Sequence, residues 1–160
     1  MIFVAVGSQK FQFNRLIHIV DRLVFEKKIT DRVFAQIGHC DYIPQNIEWE
    51  RFLDKDRFSE YLDNSSVVIT HAGTGIIINA LKKEKKIVAM ARLSKYGEHV
   101  DDHQVQILEL FSQAGLIEVA RNEGDLFRAY KECLEGKYKK YKSNKERFMK
   151  DLDSWLESNC

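Results

Sequence analysis

Short apolar runs and stretches of helical spacing alternate along nearly the whole chain. Met1–Val6, Arg32–Ile37, Val67–Thr70, Ile87–Ala91 and Leu116–Val119 are apolar enough to be strands buried on both faces. Ile47–Phe52 predicts a further short strand. Asn14–Lys27 predicts an amphipathic helix with Leu16, Ile19, Val20 and Leu23 on one face. Helices are also expected at Asp56–Asp63, Ile76–Lys83, Asp102–Gln113 (closed by Gly115), Glu123–Leu134 and Ser143–Glu157. A turn-rich stretch from Gly38 to Gln45 holds the only proline, Pro44. Buried strands alternating with helices imply an α/β fold: a doubly wound, Rossmann-like parallel sheet covered on both faces. Such sheets bind ligands beyond the carboxyl ends of their strands, which places the loops at Gly7, Gly38, His71 and Arg92 on one rim.

Composition narrows the function classes. The chain's 160 residues make one domain, 1–160, with 44% hydrophobic and 31% charged residues, as in a soluble globular protein. A net charge of +1 argues against a general nucleic-acid binder, which relies on a strong positive field. No apolar stretch approaches the ~20 residues needed to cross a bilayer, and the N-terminus lacks the basic flank of a secretory signal. Cys40, Cys133 and Cys160 are scattered with no Cys-x-x-Cys pair, so neither a disulfide framework nor a zinc site is expected. A reducing cytoplasm fits this usage.

Two clusters carry the candidate chemistry. In the first, Val67–Thr70 runs into His71-Ala-Gly-Thr-Gly75 and then into helical spacing. That order leaves backbone N–H groups free at a helix start, where the dipole favours a phosphate. Glycines there also serve tight turns or close packing, so the loop alone does not decide. The chain has no Gly-x-x-x-x-Gly-Lys-Ser/Thr loop, and Gly7-Ser8-Gln9-Lys10-Phe11 lacks the spaced glycines of a dinucleotide site. The second cluster is Arg92–Gln104. Asp101 or Asp102 suits a helix N-cap, with Gln104 in the first turn. Such a cap puts His99 ahead of the helix, so His99 and His103 would not share a helical face, and no metal is expected. Arg92 and Lys95 are read as solvated loop charges, with a cation for a departing phosphate as the alternative.

Taken together, Thr70-His-Ala-Gly-Thr-Gly75, Asn79-Ala-Leu81 and Tyr96-Gly-Glu-His-Val-Asp-Asp-His-Gln104 resemble a known family. They look like the nucleotide-sugar-binding C-terminal half of GT-B glycosyltransferases of family 28. The likeness is to stand-alone versions that form the soluble subunit of two-chain enzymes, in exopolysaccharide and capsule synthesis or in dolichol-linked GlcNAc transfer. The resemblance implies that His71, Ala72, Gly73, Thr74 and Gly75 meet a UDP diphosphate through backbone amides. Asn79 stands where relatives have a ribose-binding glutamate. It implies further that Asp102, His103 and Gln104 face the sugar, with Glu98 and His99 nearby, and that Gly7 and Ser8 line the site. The base would lie on a membrane-anchored, acceptor-binding partner, His103 and Glu98 being the candidates within this chain. UDP-sugar is then a substrate, no cofactor is expected, and the partner brings the lipid-linked acceptor and recruits the chain to the inner membrane face. A non-catalytic subunit that strengthens a partner glycosyltransferase is the alternative.

The tail adds two readings. Lys137-Tyr-Lys-Lys-Tyr-Lys142 is read as a solvated helix face, with contact to anionic lipid as the alternative. The helix within 143–158 would align Phe148, Leu152, Trp155 and Leu156, either on this domain's own core or against the partner.

Overall fold

The computed structural model describes residues 1–142 and 145–159. Six strands form one sheet: β1 (Ile2–Ala5), β2 (Val33–Gln36), β3 (Glu48–Glu50), β4 (Val67–Thr70), β5 (Lys86–Met90) and β6 (Glu118–Ala120). Their order is β3-β2-β1-β4-β5-β6, and every pair is parallel. This is the doubly wound order in which the chain reverses direction between β1 and β4. Thr70 marks that switch point, its buried hydroxyl donating to Ala5 O at 2.7 Å.

Side-chain alternation along the strands divides the core into two layers. Ile2, Val4 and Val6 pack with α1 (Asn14–Phe25) and α5 (Leu126–Glu135). Phe3 and Ala5 pack on the other face with α2 (Lys55–Asn64), α3 (Thr74–Lys82) and α4 (His103–Gln113). The expected stripe of Leu16, Ile19, Val20 and Leu23 is fully buried.

Three expectations need adjustment. The Ile47–Phe52 run contributes only Glu48–Glu50 to the sheet, because as an edge strand it pairs with β2 alone. The lysine run 137–142 is not helical: Lys139 N donates to Gly115 O, and the segment borders a groove with Leu81 and Lys86 at the amino ends of the strands. It therefore lies at the opposite edge from the rim that carries the candidate site. The last helix, α6, runs Lys145–Asn159; Ser143 and Cys160 lie outside the described residues, as do the side chains of Phe148 and Leu156. Leu152 is buried and Trp155 half-buried. Cys40 and Cys133 are free and buried. Among the described residues no helix is long and apolar enough to cross a membrane.

Candidate functional site

The four rim loops meet at the switch point. Gln36, at the end of β2, accepts a hydrogen bond from Gly7 N (3.2 Å) and donates to Gly7 O (3.0 Å) and Arg51 O (2.9 Å). It thereby fixes the turn after β1. Gly7 adopts φ +82°, which side chains rarely tolerate. A Cβ there would also fall 2.7 Å from Nε2 of His71, and one at Gly73 only 2.4 Å from Cε1 of the same ring. The two glycines thus make room for an imidazole, a reason beyond turn geometry. Gly75 has open space around it and is exposed, as are Ser8 and Asn79.

The His71 ring lies against an open cleft of about 270 Å³ lined by Gln9, Ala72, Gly73, Thr74, His99 and Gln104 among others. It is 7% exposed, and among the described residues neither ring nitrogen has a hydrogen-bond partner. Beside it α3 starts at Gly73 with no side-chain cap. The first bond of the helix runs from Ile77 N to Gly73 O (3.1 Å), which leaves the amides of Thr74, Gly75 and Ile76 without intrahelical acceptors.

Burial, with Arg92 and His99 adding to it, holds the His71 imidazole down to about 3 from its ordinary 6.5. The ring is therefore neutral at pH 7. Unfolding lets it bind a proton, so its contribution to stability is intact above pH 6.5 and erodes as pH falls towards 3. Between pH 7.5 and pH 5 this group alone should remove about 2 kcal/mol of stability. His71→Gln has no such proton to bind. Denaturant melts of both proteins at the two pH values are expected to show the difference; parallel pH dependence would contradict it.

Arg92 departs most from expectation. Far from being solvated, it is 0% exposed. One guanidinium nitrogen donates to Val6 O at 2.6 Å, while Nε and Nη1 have no hydrogen-bond partner among the described residues. The group sits 5.5 Å from the Phe13 ring centroid, and burial lowers its pKa. A buried cation therefore lies at the strand ends, offset only at a distance by the Glu98 carboxylate and electrostatically coupled to His71. Lys95 is exposed, as expected.

Glu98, 1% exposed, is spent on structure. It accepts from Arg15 Nε (2.9 Å) and Nη2 (2.8 Å) and from Leu93 N (2.9 Å), and it does not line the cleft. Arg15 also donates to Ala91 O, so α1 anchors the loop after β5. Gln104 lines the cleft, but its Oε1 accepts from Arg92 N at 3.1 Å. Asp102 stands at the N-cap position without capping: its Oδ1 accepts from Ser94 N at 2.7 Å. Asp101 takes over the cap, accepting from His103 N at 3.1 Å. Its carboxylate lies 3.1 Å from His103 Nδ1 and 3.3 Å from His99 Nδ1, so the two histidines meet through Asp101 and not through a helix face. Among the described residues no three His, Cys, Asp or Glu side chains converge to hold a metal ion.

Sequence reading did not single out Arg15 or Gln36, and it took Asp101 only as a cap. Nor did it single out His39 and Phe52, whose exposed rings meet edge-on at 5.1 Å where β2 and β3 end.

Known proteins share this fold. The solution structure of ALG13 superposes with a TM-score of 0.65 at 22% identity, covering 94% of each chain. Spinosyn forosaminyltransferase SpnP (TM-score 0.55, 18% identity) aligns over 82% of this chain and 34% of its own. The glycotransferase of kitacinnamycin (0.56, 18%) aligns over 85% and 35%. At these identities the likeness is one of fold: this chain corresponds to the C-terminal half of a GT-B architecture. In sequence, the human UDP-N-acetylglucosamine transferase subunit ALG13 is 28% identical over 123 residues, 71% of this chain and 10% of the human protein. The chain thus spans about a tenth of that relative's length. Residues 1–156 match the glycosyltransferase family 28 C-terminal domain, and the chain belongs to that family.

Proposed function

We propose that this chain is the donor-binding subunit of a two-chain glycosyltransferase that takes a sugar from a UDP-sugar. The observation that carries the reading is the uncapped start of α3 beside the buried, unpartnered His71 in one cleft at the switch point. A diphosphate there would satisfy the amides of Thr74 and Gly75 and one nitrogen of His71. Charge-assisted hydrogen bonds contribute roughly 1.5–3 kcal/mol each and the helix dipole up to about 2 kcal/mol. Several converging donors with Arg92 behind them suit a departing UDP without a metal.

From that anchor the sugar extends towards His99, His103 and Gln104, and the nucleoside towards the exposed rings of His39 and Phe52. The human relative is a UDP-N-acetylglucosamine transferase subunit, which supports UDP as the nucleotide. Glu98 is locked to Arg15, which favours a base from the partner chain. The partner is membrane-anchored and holds a lipid-linked acceptor, in exopolysaccharide or capsule synthesis, and this chain works at the cytoplasmic face beside it.

Calorimetric titration with UDP and a panel of UDP-sugars, with and without EDTA, tests the donor site. Binding is expected, unchanged by EDTA. Sugar transfer is expected only when membranes of the source cells supply the partner; robust transfer by the purified chain alone would refute the split.

A further inference from the structure

We propose that Gln36 is a positioning residue for the donor site: its carboxamide sets the Val6–Gly7 peptide so that the Val6 carbonyl holds the Arg92 guanidinium behind the diphosphate. This rests on the donor-site reading above. Gln36 stands in β2, paired between β1 and β3 and only 4% exposed, so the base of its side chain is fixed. Its amide is fully used. Oε1 accepts from Gly7 N at 3.2 Å, and Nε2 donates to Gly7 O (3.0 Å) and Arg51 O (2.9 Å). Those partners allow one orientation of the carboxamide. The flipped one would set NH2 against an amide N–H and the oxygen against two carbonyls.

The peptide that Gln36 grips is also the one that Arg92 uses. Gly7 N and Val6 O belong to a single trans peptide unit, so they point in opposite directions from one plane. Gln36 takes the N–H on one side, and Arg92 Nη2 donates to the carbonyl on the other at 2.6 Å. Among the described residues this is the guanidinium's only hydrogen bond, since Nε and Nη1 have none. The Phe13 ring centroid is 5.5 Å away, and Glu98 acts on the group only electrostatically. Turning the Val6–Gly7 peptide would therefore release Arg92. Such a turn is open to it, because glycine at φ +82° has other conformations within reach.

The same turn also borders His71, whose Nε2 would lie 2.7 Å from a Cβ at Gly7. Arg51 O, by contrast, accepts a second hydrogen bond from Gly38 N at 2.8 Å, and Ile37 N donates to Glu50 O at 2.9 Å. The end of β3 beside Phe52 thus keeps its place without Gln36. Loss of the carboxamide should act on the phosphate end of the ligand and spare the nucleoside end.

Gln36→Met keeps the length of the side chain and removes its donors and acceptor. In the unaltered full chain, NMR couplings across hydrogen bonds are expected from Gly7 N to the Gln36 carboxamide carbon and from Arg92 Nη2 to the Val6 carbonyl carbon. Absence of either would overturn the proposal, whether or not the variant folds. In Gln36→Met the Arg92 coupling should vanish, and its persistence would overturn the proposal too. Calorimetry then reads UDP binding across a double-mutant cycle with Arg92→Met. Gln36→Met alone should weaken UDP roughly tenfold, part of what removing the cation costs. The double variant should bind UDP about as Arg92→Met does, because the second change acts through a group already gone. Losses that multiply would mark a purely structural role and overturn the proposal, as would an equal weakening of uridine, followed by amide shifts. If both couplings were present and the unaltered chain bound no UDP, the donor-site reading would fall while the hold of Gln36 on Arg92 stood.

Discussion

Glu98→Ala is expected to destabilise the fold by about 3–5 kcal/mol, because it strands a buried guanidinium. Arg15 is 8% exposed at its side chain and Glu98 1%, so water cannot replace the lost partner. Ala91 O would still accept one Arg15 N–H, and the Tyr96 ring would still lie 4.9 Å away, but neither carries a charge. Leu93 N would lose its acceptor as well. The double change Arg15→Met, Glu98→Leu should recover most of the loss, since an apolar pair of similar volume is often as stable as a buried ion pair. Denaturant midpoints of the single and double variants check this; a single-variant loss under about 1 kcal/mol would mean the pair is solvated in solution. The consequence for function is local. The ion pair anchors the loop that carries His99, Asp102 and His103, so recognition of the sugar should suffer before recognition of UDP.

Arg92→Met should do the reverse, sparing stability and weakening UDP. A buried cation with two unpartnered donors is itself unfavourable, and its removal offsets the lost bond to Val6 O. The variant should melt within a few degrees of the unaltered chain or above it. Its ligand loses a long-range attraction, however. A unit charge roughly 8 Å from a doubly charged diphosphate contributes about 4 kcal/mol at an effective dielectric near 20, and water in the open cleft reduces this to roughly 2. UDP affinity is expected to fall about 30-fold, a loss that added salt diminishes. Unaltered affinity with raised stability would leave Arg92 no part in the site; collapse of the fold would make its part structural.

The sheet was legible because buried parallel strands and amphipathic helices announce themselves within ten residues or so, as Ile2–Ala5 and the α1 stripe did. The start of α3 was legible for the same reason. What escaped was long-range. Arg15 and Glu98 are 83 residues apart, and nothing local to either names the other. Arg92 follows a strand into a polar loop, the usual setting of a solvated charge, and only its contact with Val6 O, 86 residues distant, reveals burial. The adjacent Asp101 and Asp102 show a finer limit. Either suits a cap by type, and a one-residue shift in register decides which carboxylate caps α4 and which holds Ser94. Gly7 and Gly73 signalled a special backbone, but not that both make way for one imidazole.

The central claim is that amides at the start of α3 hold a diphosphate beside His71. Titrating the 15N-labelled chain with UDP, and following every amide, tests it most directly. The account predicts that the largest saturable shifts fall on Gly73, Thr74 and Gly75, with the His71 ring responding in step. Saturable shifts confined to other surfaces, such as the lysine-lined groove at the far end of the sheet, would contradict it, as would no response at all.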